Sequence, residues 1–144
     1  MMTDFSPGLT PEQARMLSPL QLAYIGDSVH ALLVRTHLLR KNLLVRDMHR
    51  ASNEAVSAVS QARELATLLP LLSPEEADIV RRGRNAHPHH SGPKSASTAD
   101  YAGAPGLEAL RGYLYVTGQN ERIKELLPYI QGENTDHARN TPAC

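Results

Sequence analysis

The sequence predicts an all-α domain, and three observations support that fold class. Apolar residues recur at helical spacing through most of the chain, and no segment alternates apolar and polar residues over the length of a strand. Proline follows serine or threonine at Thr10-Pro11, Ser18-Pro19 and Ser73-Pro74, which is typical of helix starts. The 144 residues are enough for one domain with a buried core.

We expect three parts: a short tail over residues 1–8, one helical domain over residues 9–130, and a polar, disordered tail over residues 131–144. No apolar run approaches the roughly 18 residues of a membrane span, and the N-terminus lacks the pattern of a secretory signal. The only cysteine is Cys144, which excludes an internal disulfide framework. A cytoplasmic location without membrane attachment is therefore predicted.

The first two helices are predicted from capping signals, and the second also has an unusual distribution of apolar residues. Thr10 and Gln13 form a predicted capping box, and Ser18 with Gln21 repeats it. The second helix should run from about Ser18 to Arg40, with apolar residues on nearly every side. Such a helix is typical of a domain centre or a subunit interface.

Four further helices are predicted in the rest of the chain. They span residues 47–69, 73–85, 107–116 and 120 to about 130. Pro70 ends the first of these, in which small residues at helical spacing permit close helix contact. Residues 86–106 are rich in glycine, proline, serine and alanine, so this segment is predicted to be a long loop.

Charge is unevenly distributed along a chain whose formal net charge is zero. Residues 35–50 hold five basic side chains and one acidic one, a net +4; residues 81–101 hold four and one, a net +3. Such local patches can bind a polyanion, because phosphate attraction depends on the field at the contact surface. Solvated helix ends explain the same charges, and arginines at the end of residues 73–85 would also favour the helix dipole.

Asp27 is an acid in an apolar segment. In a helix its neighbours one turn away are Ala23, Tyr24, His30 and Ala31, which predicts a core-facing position. A buried carboxylate requires a cation, a metal or hydrogen-bond donors. Alternatively, Gly26 breaks the helix and Asp27 only caps a helix that begins at Ser28.

Glu108 is a second acid on an apolar helix. Together with Asp27 it could bind Mg²⁺, which prefers oxygen ligands and takes only one or two protein carboxylates. A simple ion pair between Glu108 and Arg111 is the alternative. His87, His89 and His90 are poorly spaced for zinc, so we expect them to be solvated or to contact phosphate.

Several segments together resemble the ribonuclease III family. Ala23-Tyr24-Ile25-Gly26-Asp27-Ser28-Val29 resembles its signature helix, Glu-Phe-Leu-Gly-Asp-Ser/Ala-Val/Leu, and residues 107–115 are similar to its second acidic helix. The resemblance is closer to Mini-ribonuclease III, the short form that consists of the catalytic domain alone. The matching segments, in that form's order from about Leu17 to Leu127, are residues 22–27, Val56-Ser57-Ala58 with Gln61-Ala62, residues 81–85, Lys94, Tyr101, residues 108–110 and residues 112–115.

This resemblance implies an all-helical homodimer that cleaves double-stranded RNA with Mg²⁺. For the short form it implies maturation of the 23S ribosomal RNA precursor, and a ribosomal protein that presents the substrate is a further candidate partner. Carried over by position, Asp27 and Glu108 are the metal-binding catalytic acids. The RNA-binding residues implied in the same way are Arg81, Arg82, Arg84, Asn85 and Lys94.

The chain departs from the family pattern at four positions. Full-length ribonuclease III has further acids four residues before the Asp and three before the Glu, where this chain has Ala23 and Pro105. Arg111 replaces an aliphatic residue, and Val59 replaces a lysine common in the short form. Two other functions therefore stay open: a non-catalytic RNA-binding module on the same fold, and an all-α interaction protein.

Overall fold

A computed structural model describes residues 5–86 and 98–130, with the side chains of residues 98–102 excluded. All regular structure in these ranges is helical, which confirms the predicted fold class. The α-helices are α1 (Pro11–Met16), α2 (Pro19–Leu39), α3 (Val45–Ala55), α4 (Ala58–Leu68), α5 (Pro74–Ala86), α6 (Thr98–Val116) and α7 (Asn120–Leu126). Short 3-10 turns, Leu69–Leu71 and Leu127–Tyr129, follow α4 and α7.

The predicted helix starts are confirmed by their capping bonds. The Thr10 hydroxyl accepts from the backbone N–H of Gln13 at 3.1 Å, and the Gln13 side chain accepts from the Thr10 N–H at 3.0 Å. Ser18 and Gln21 form the same box at the start of α2. Local signals were sufficient here because both partners lie within one turn.

The single helix predicted for residues 47–69 is wrong, because the segment forms two helices. α3 ends at Ala55, and Ser57 caps α4 by accepting from the N–H of Ser60 at 3.2 Å. A serine side chain can bond nearby backbone groups in place of the helical pattern, which favours a new helix start at this position. The break turns α4 against α6.

The loop predicted for residues 86–106 is also wrong at its C-terminal end. α6 begins at Thr98 and continues through Pro105, so the small residues before Leu107 are helical. They allow close packing: a Cβ added to Gly103 would lie 3.1 Å from Ala62, and one added to Gly106 would lie 3.0 Å from the Val80 carbonyl. Residues 87–97 lie outside the described part of the chain.

α6 forms the centre of the domain and packs against α2, α4 and α5. Its residues Leu107, Ala109, Leu110 and Leu114 are fully buried. At its end, the backbone N–H of Leu9 donates to the Val116 carbonyl at 2.8 Å. The main core thus surrounds the helix that contains Glu108.

α2 packs one side against this core and exposes apolar residues on the other. Its buried residues are Leu22, Ala23, Gly26, His30, Val34 and Leu38. In the single chain Tyr24 is 83% exposed and Leu32 is 66% exposed. Within the described residues, no helix has the length and hydropathy needed to cross a membrane.

Candidate active site

Two glycines bring the backbones of α2 and α6 into direct contact. A Cβ added to Gly26 would lie 1.7 Å from the carbonyl oxygen of Glu108, and one added to Gly112 would lie 1.9 Å from that of Leu22. Only glycine leaves room for such an approach. Because Asp27 follows Gly26 directly, the crossing places Asp27 next to Glu108.

Asp27 and Glu108 line the same pocket, which has a volume of about 490 Å³. Its lining residues are Ala23, Tyr24, Ile25, Asp27, Ser28 and Glu108. The two acids that the sequence pattern singled out are therefore brought together from positions 81 residues apart in the chain.

Asp27 itself is exposed at the pocket, and the predicted core-facing position is wrong. The buried side of α2 runs through Gly26 and His30, which turns Asp27 towards the opening. The alternative role as a helix cap is also wrong, since Asp27 lies in the middle of a continuous helix. Because apolar residues lie on nearly every side of α2, the sequence pattern does not show which side of the helix Asp27 faces.

Glu108 is partly buried and is held by one amide. The side-chain nitrogen of Gln61 on α4 donates to Glu108 Oε1 at 3.2 Å. Burial raises the pKa of Glu108 to about 7; the Gln61 hydrogen bond opposes this rise and the charge of Asp27 adds to it. Burial and the nearby Asp27 carboxylate therefore both disfavour the ionised form of Glu108.

The predicted alternative pairing of Glu108 with Arg111 is wrong. Arg111 is 2% exposed and forms a buried ion pair with Glu64 of α4. Burial raises the pKa of Glu64 to about 7, and the guanidinium of Arg111 opposes the rise. Glu108 is thus left without a cationic partner among the described residues.

The donor set fits a divalent cation of the magnesium type. Two oxygen-donating carboxylates share a water-accessible pocket, and the described residues contain no cluster of three or more His, Cys, Asp or Glu side chains that could hold a metal alone. Mg²⁺ usually keeps several waters and binds one or two protein carboxylates. A cation here would also relieve the repulsion between Asp27 and Glu108.

The predicted RNA-binding residues lie at or beyond the end of α5. Arg81 is paired with Asp78, and Arg82 donates to the Arg15 carbonyl at 3.4 Å. Arg84 and Asn85 are exposed. Lys94, like His87, His89 and His90, lies outside the described residues.

The stem of Arg84 packs against α6. A Cβ added to Gly106 would lie 2.8 Å from Arg84 Cγ, and Gly106, two residues before Glu108, lies on a different side of α6 from Glu108. Within the described residues Arg84 forms no ion pair. Its side chain is exposed to solvent.

Sequence reasoning assigned no role to Gln61, although the segment that contains it was part of the family resemblance. Its side chain is 2% exposed and contacts Glu108 across 47 positions of sequence. Gln61 is one of several polar residues on α4 and gave a weak signal, because helical spacing alone does not show which helix it faces.

Comparisons with known proteins identify the family of this chain. The Ribonuclease III domain family matches residues 20–119. Mini-ribonuclease 3 of Symbiobacterium thermophilum is 49% identical over 112 residues, which cover 77% of this chain and 85% of that protein. Mini-ribonuclease 3 of Brevibacillus brevis is 45% identical over 124 residues, which cover 83% of this chain and 92% of that protein.

A solved structure supports the fold as well. A protein of Fusobacterium nucleatum superimposes with a TM-score of 0.69 at 26% sequence identity. The similarity covers 77% of this chain and 88% of the other. Most of the fold therefore has a counterpart in an experimentally solved chain.

Proposed function

Because the chain belongs to the ribonuclease III family, within its Mini-ribonuclease 3 group, we propose that it cleaves double-stranded RNA with Mg²⁺ to mature the 23S ribosomal RNA precursor. Its class as an endoribonuclease follows from the family. The identity of the metal, the physiological RNA and the catalytic residues are the proposal.

The observation that supports the proposed catalytic residues is the pocket shared by Asp27 and Glu108. The Gly26 and Gly112 contacts fix the two helices at this point, so both carboxylates are held on rigid elements. Asp27 is open to solvent, while Glu108 is partly buried and oriented by Gln61. We propose that these two carboxylates hold the metal.

When bound, Mg²⁺ acts as a Lewis acid that lowers the pKa of a water and offsets negative charge on the phosphate. Asp27 and Glu108 would hold it by their oxygens, and both must be ionised to do so. Gln61 favours the ionised form of Glu108 by donating to Oε1. Ala23 and Pro105 stand where longer relatives have further acids, so water and phosphate oxygens of the RNA would supply the other metal ligands.

The RNA backbone would be held by the end of α5 and the segment that follows it. Arg82, Arg84 and Lys94 would contact phosphates on either side of the cleaved bond, with Arg81 and Asn85 nearby. Double-stranded RNA presents mainly its backbone and minor-groove hydroxyls, so recognition should depend on shape, with modest sequence preference. A ribosomal protein that presents the substrate remains part of this proposal.

We also propose a homodimer formed through the exposed side of α2. Leu20, Tyr24, Leu32 and Leu39 are 50%, 83%, 66% and 67% exposed in the single chain, an apolar surface that association would cover. Sedimentation should give the mass of two chains, and Leu32→Glu should shift the mass towards one. An RNA-processing role also favours a cytoplasmic location.

Cleavage of a duplex RNA tests the proposed activity. Wild-type protein should cleave with Mg²⁺ and not with EDTA, and Asp27→Asn and Glu108→Gln should each lower the rate at least about a hundredfold. Glu121→Gln, which removes a carboxylate with an 85% exposed side chain on α7, is the matched control and should keep the wild-type rate. Duplex binding without cleavage by the wild type would instead support the non-catalytic module.

A further inference from the structure

Gln61 is a buried amide on α4 whose side chain bonds, within the described residues, to Val56 at the α3–α4 break and to Glu108. Its nitrogen donates to the Val56 carbonyl at 3.0 Å and to Glu108 Oε1 at 3.2 Å. Both N–H groups of the amide are thus used. Its oxygen is buried and has no partner within the described residues.

The unpartnered oxygen shows which of the amide's bonds determine its orientation. An unsatisfied buried acceptor is unfavourable, so the two N–H bonds must be what favours this orientation. With the amide turned over, its oxygen would face the Val56 carbonyl and the Glu108 carboxylate, which are both acceptors. The arrangement therefore presents a donor, and not an acceptor, to Glu108.

The Val56 bond anchors this donor to the backbone. Val56 is the C-terminal cap of α3, directly after its last residue, and Ser57 is the N-terminal cap of α4. The break that sequence analysis missed thus turns the Val56 carbonyl towards Gln61, one turn later on α4. The amide is held on one side by the main chain and holds the carboxylate on the other.

Gln61 contacts one of the two carboxylate oxygens. A hydrogen bond to Oε1 restricts rotation of the Glu108 side chain and leaves the second oxygen for another ligand. Groups that orient metal ligands in this way commonly change metal affinity by about 10–100-fold when they are removed. Ala66, five residues later on α4, has no polar group that could replace the amide of Gln61.

We propose that Gln61 is a positioning residue, which fixes the orientation of the Glu108 carboxylate so that Glu108 and Asp27 bind one divalent cation together. The inference rests on the proposed metal site and extends it to a third helix. Gln61 does not contact the metal or the RNA in this scheme, and its effect is exerted through Glu108.

Mn²⁺ binding to the RNA-free protein, followed by electron paramagnetic resonance, tests the inference without relying on activity. The wild type should bind Mn²⁺, and Asp27→Asn and Glu108→Gln should each abolish that binding. Gln61→Met keeps the side-chain length and removes the hydrogen-bond donor. The Mn²⁺ concentration at half-saturation should therefore rise about tenfold or more in this variant. In cleavage, Gln61→Met should need correspondingly more Mg²⁺, while the KM for RNA at saturating Mg²⁺ stays unchanged.

Ser60→Ala is the matched control, because Ser60 is a buried polar neighbour on α4 that has no bond to Glu108. It should keep the wild-type Mn²⁺ midpoint even if its melting temperature falls. If Gln61→Met does not fold, Gln61→Asn retains a buried amide but withdraws the donor by one methylene and should also raise the midpoint.

The outcomes separate the two proposals. Mn²⁺ binding that depends on Asp27 and Glu108 but is unchanged in folded Gln61→Met or Gln61→Asn would overturn the positioning role and leave the metal site intact. Mn²⁺ binding that is absent, or indifferent to Asp27 and Glu108, would overturn the metal site and the positioning role with it.

Discussion

The Gly26 backbone of α2 lies against the carbonyl of Glu108 on α6, so closely that a methyl group at Gly26 would be 1.7 Å from that oxygen. This contact ties the two proposed catalytic carboxylates together, because each is at or next to the contact point. The geometry of the site thus depends on the packing of the core. Changes at the crossing should affect stability and metal binding together.

Gly26→Ala should destabilise the protein by about 3 kcal/mol or more, because the obstacle is backbone and cannot move aside as a side chain would. Urea unfolding measures the change. Ser28→Ala, on the same helix and exposed, is the control and should leave the midpoint close to that of the wild type. A folded Gly26→Ala of wild-type stability would show that α2 and α6 are further apart than described.

The parts of the fold that sequence analysis predicted are those determined within one helical turn. The capping boxes at Thr10 and Ser18 and the proline after each were sufficient to start α1 and α2 correctly. The resemblance to a known family supplied the pairing of Asp27 with Glu108. Neither residue's own helix contains the information that the other is near.

The incorrect predictions share a physical cause, which is packing between distant segments. Gly103 and Gly106 favoured a loop by composition, yet both are helical because Ala62 and Val80 pack directly against them. The Arg111 and Glu64 pair joins positions 47 residues apart, so local spacing pointed instead to Glu108. Helical periodicity shows which side of a helix is apolar and does not identify its neighbour.

Arg111→Leu alone should destabilise the fold by about 3–5 kcal/mol near pH 8, because it leaves the Glu64 carboxyl group buried without its cationic partner, so that Glu64 must be either ionised and unpaired or protonated. Arg111→Leu with Glu64→Leu should recover most of that loss, since apolar side chains can replace a buried ion pair. Denaturant unfolding of the four proteins in the cycle gives the coupling energy.

The control is a second double-mutant cycle, which removes the exposed ion pair of Lys124 and Glu121. Its coupling should be close to zero, because exposed ion pairs are screened by solvent. A similarly small coupling for Arg111 and Glu64 would contradict a buried pair.

His30→Gln should make stability less sensitive to acid. Burial and the charge of Arg111 lower the pKa of His30 from 6.5 to about 4, so the unfolded chain binds the proton more readily than the folded one. Stability from this residue is therefore present above pH 6.5 and is lost as pH falls towards 4, by about 2 kcal/mol at pH 5.

Chemical unfolding at pH 7.5 and pH 5 should show a smaller loss for His30→Gln than for the wild type. Glutamine can still donate to the Ala55 carbonyl, which His30 Nε2 contacts at 3.4 Å. His49→Gln, at an exposed site, should follow the wild type. Identical acid sensitivity in all three proteins would show that His30 is not the group responsible.

Arg84→Ala should weaken binding to duplex RNA of any sequence and lower the slope of log Kd against log salt by about one. The reason is the loss of one of the proposed phosphate contacts. Fluorescence anisotropy in an Asp27→Asn background, which should not cleave, measures binding over a salt series. Lys124→Ala removes the same charge from α7 and should change neither quantity; an equal effect of both would indicate non-specific attraction only.

Glu108→Gln should stabilise the metal-free protein at high pH while abolishing its activity. The pKa of Glu108 is raised to about 7 in the folded state, so folding favours the protonated carboxyl. That contribution is present below the unfolded pKa near 4.5 and is lost as pH rises through about 7. With EDTA, the melting temperature of the variant minus that of the wild type should therefore increase from pH 5 to pH 8.

Added Mg²⁺ at pH 8 should raise the wild-type melting temperature and not that of Glu108→Gln, because a ligand stabilises only the state that binds it. Glu121→Gln is the control and should show neither the pH-dependent gain nor a loss of the Mg²⁺ response. If the difference in melting temperature between Glu108→Gln and the wild type did not change with pH, Glu108 would be ionised as easily in the folded protein as in the unfolded chain.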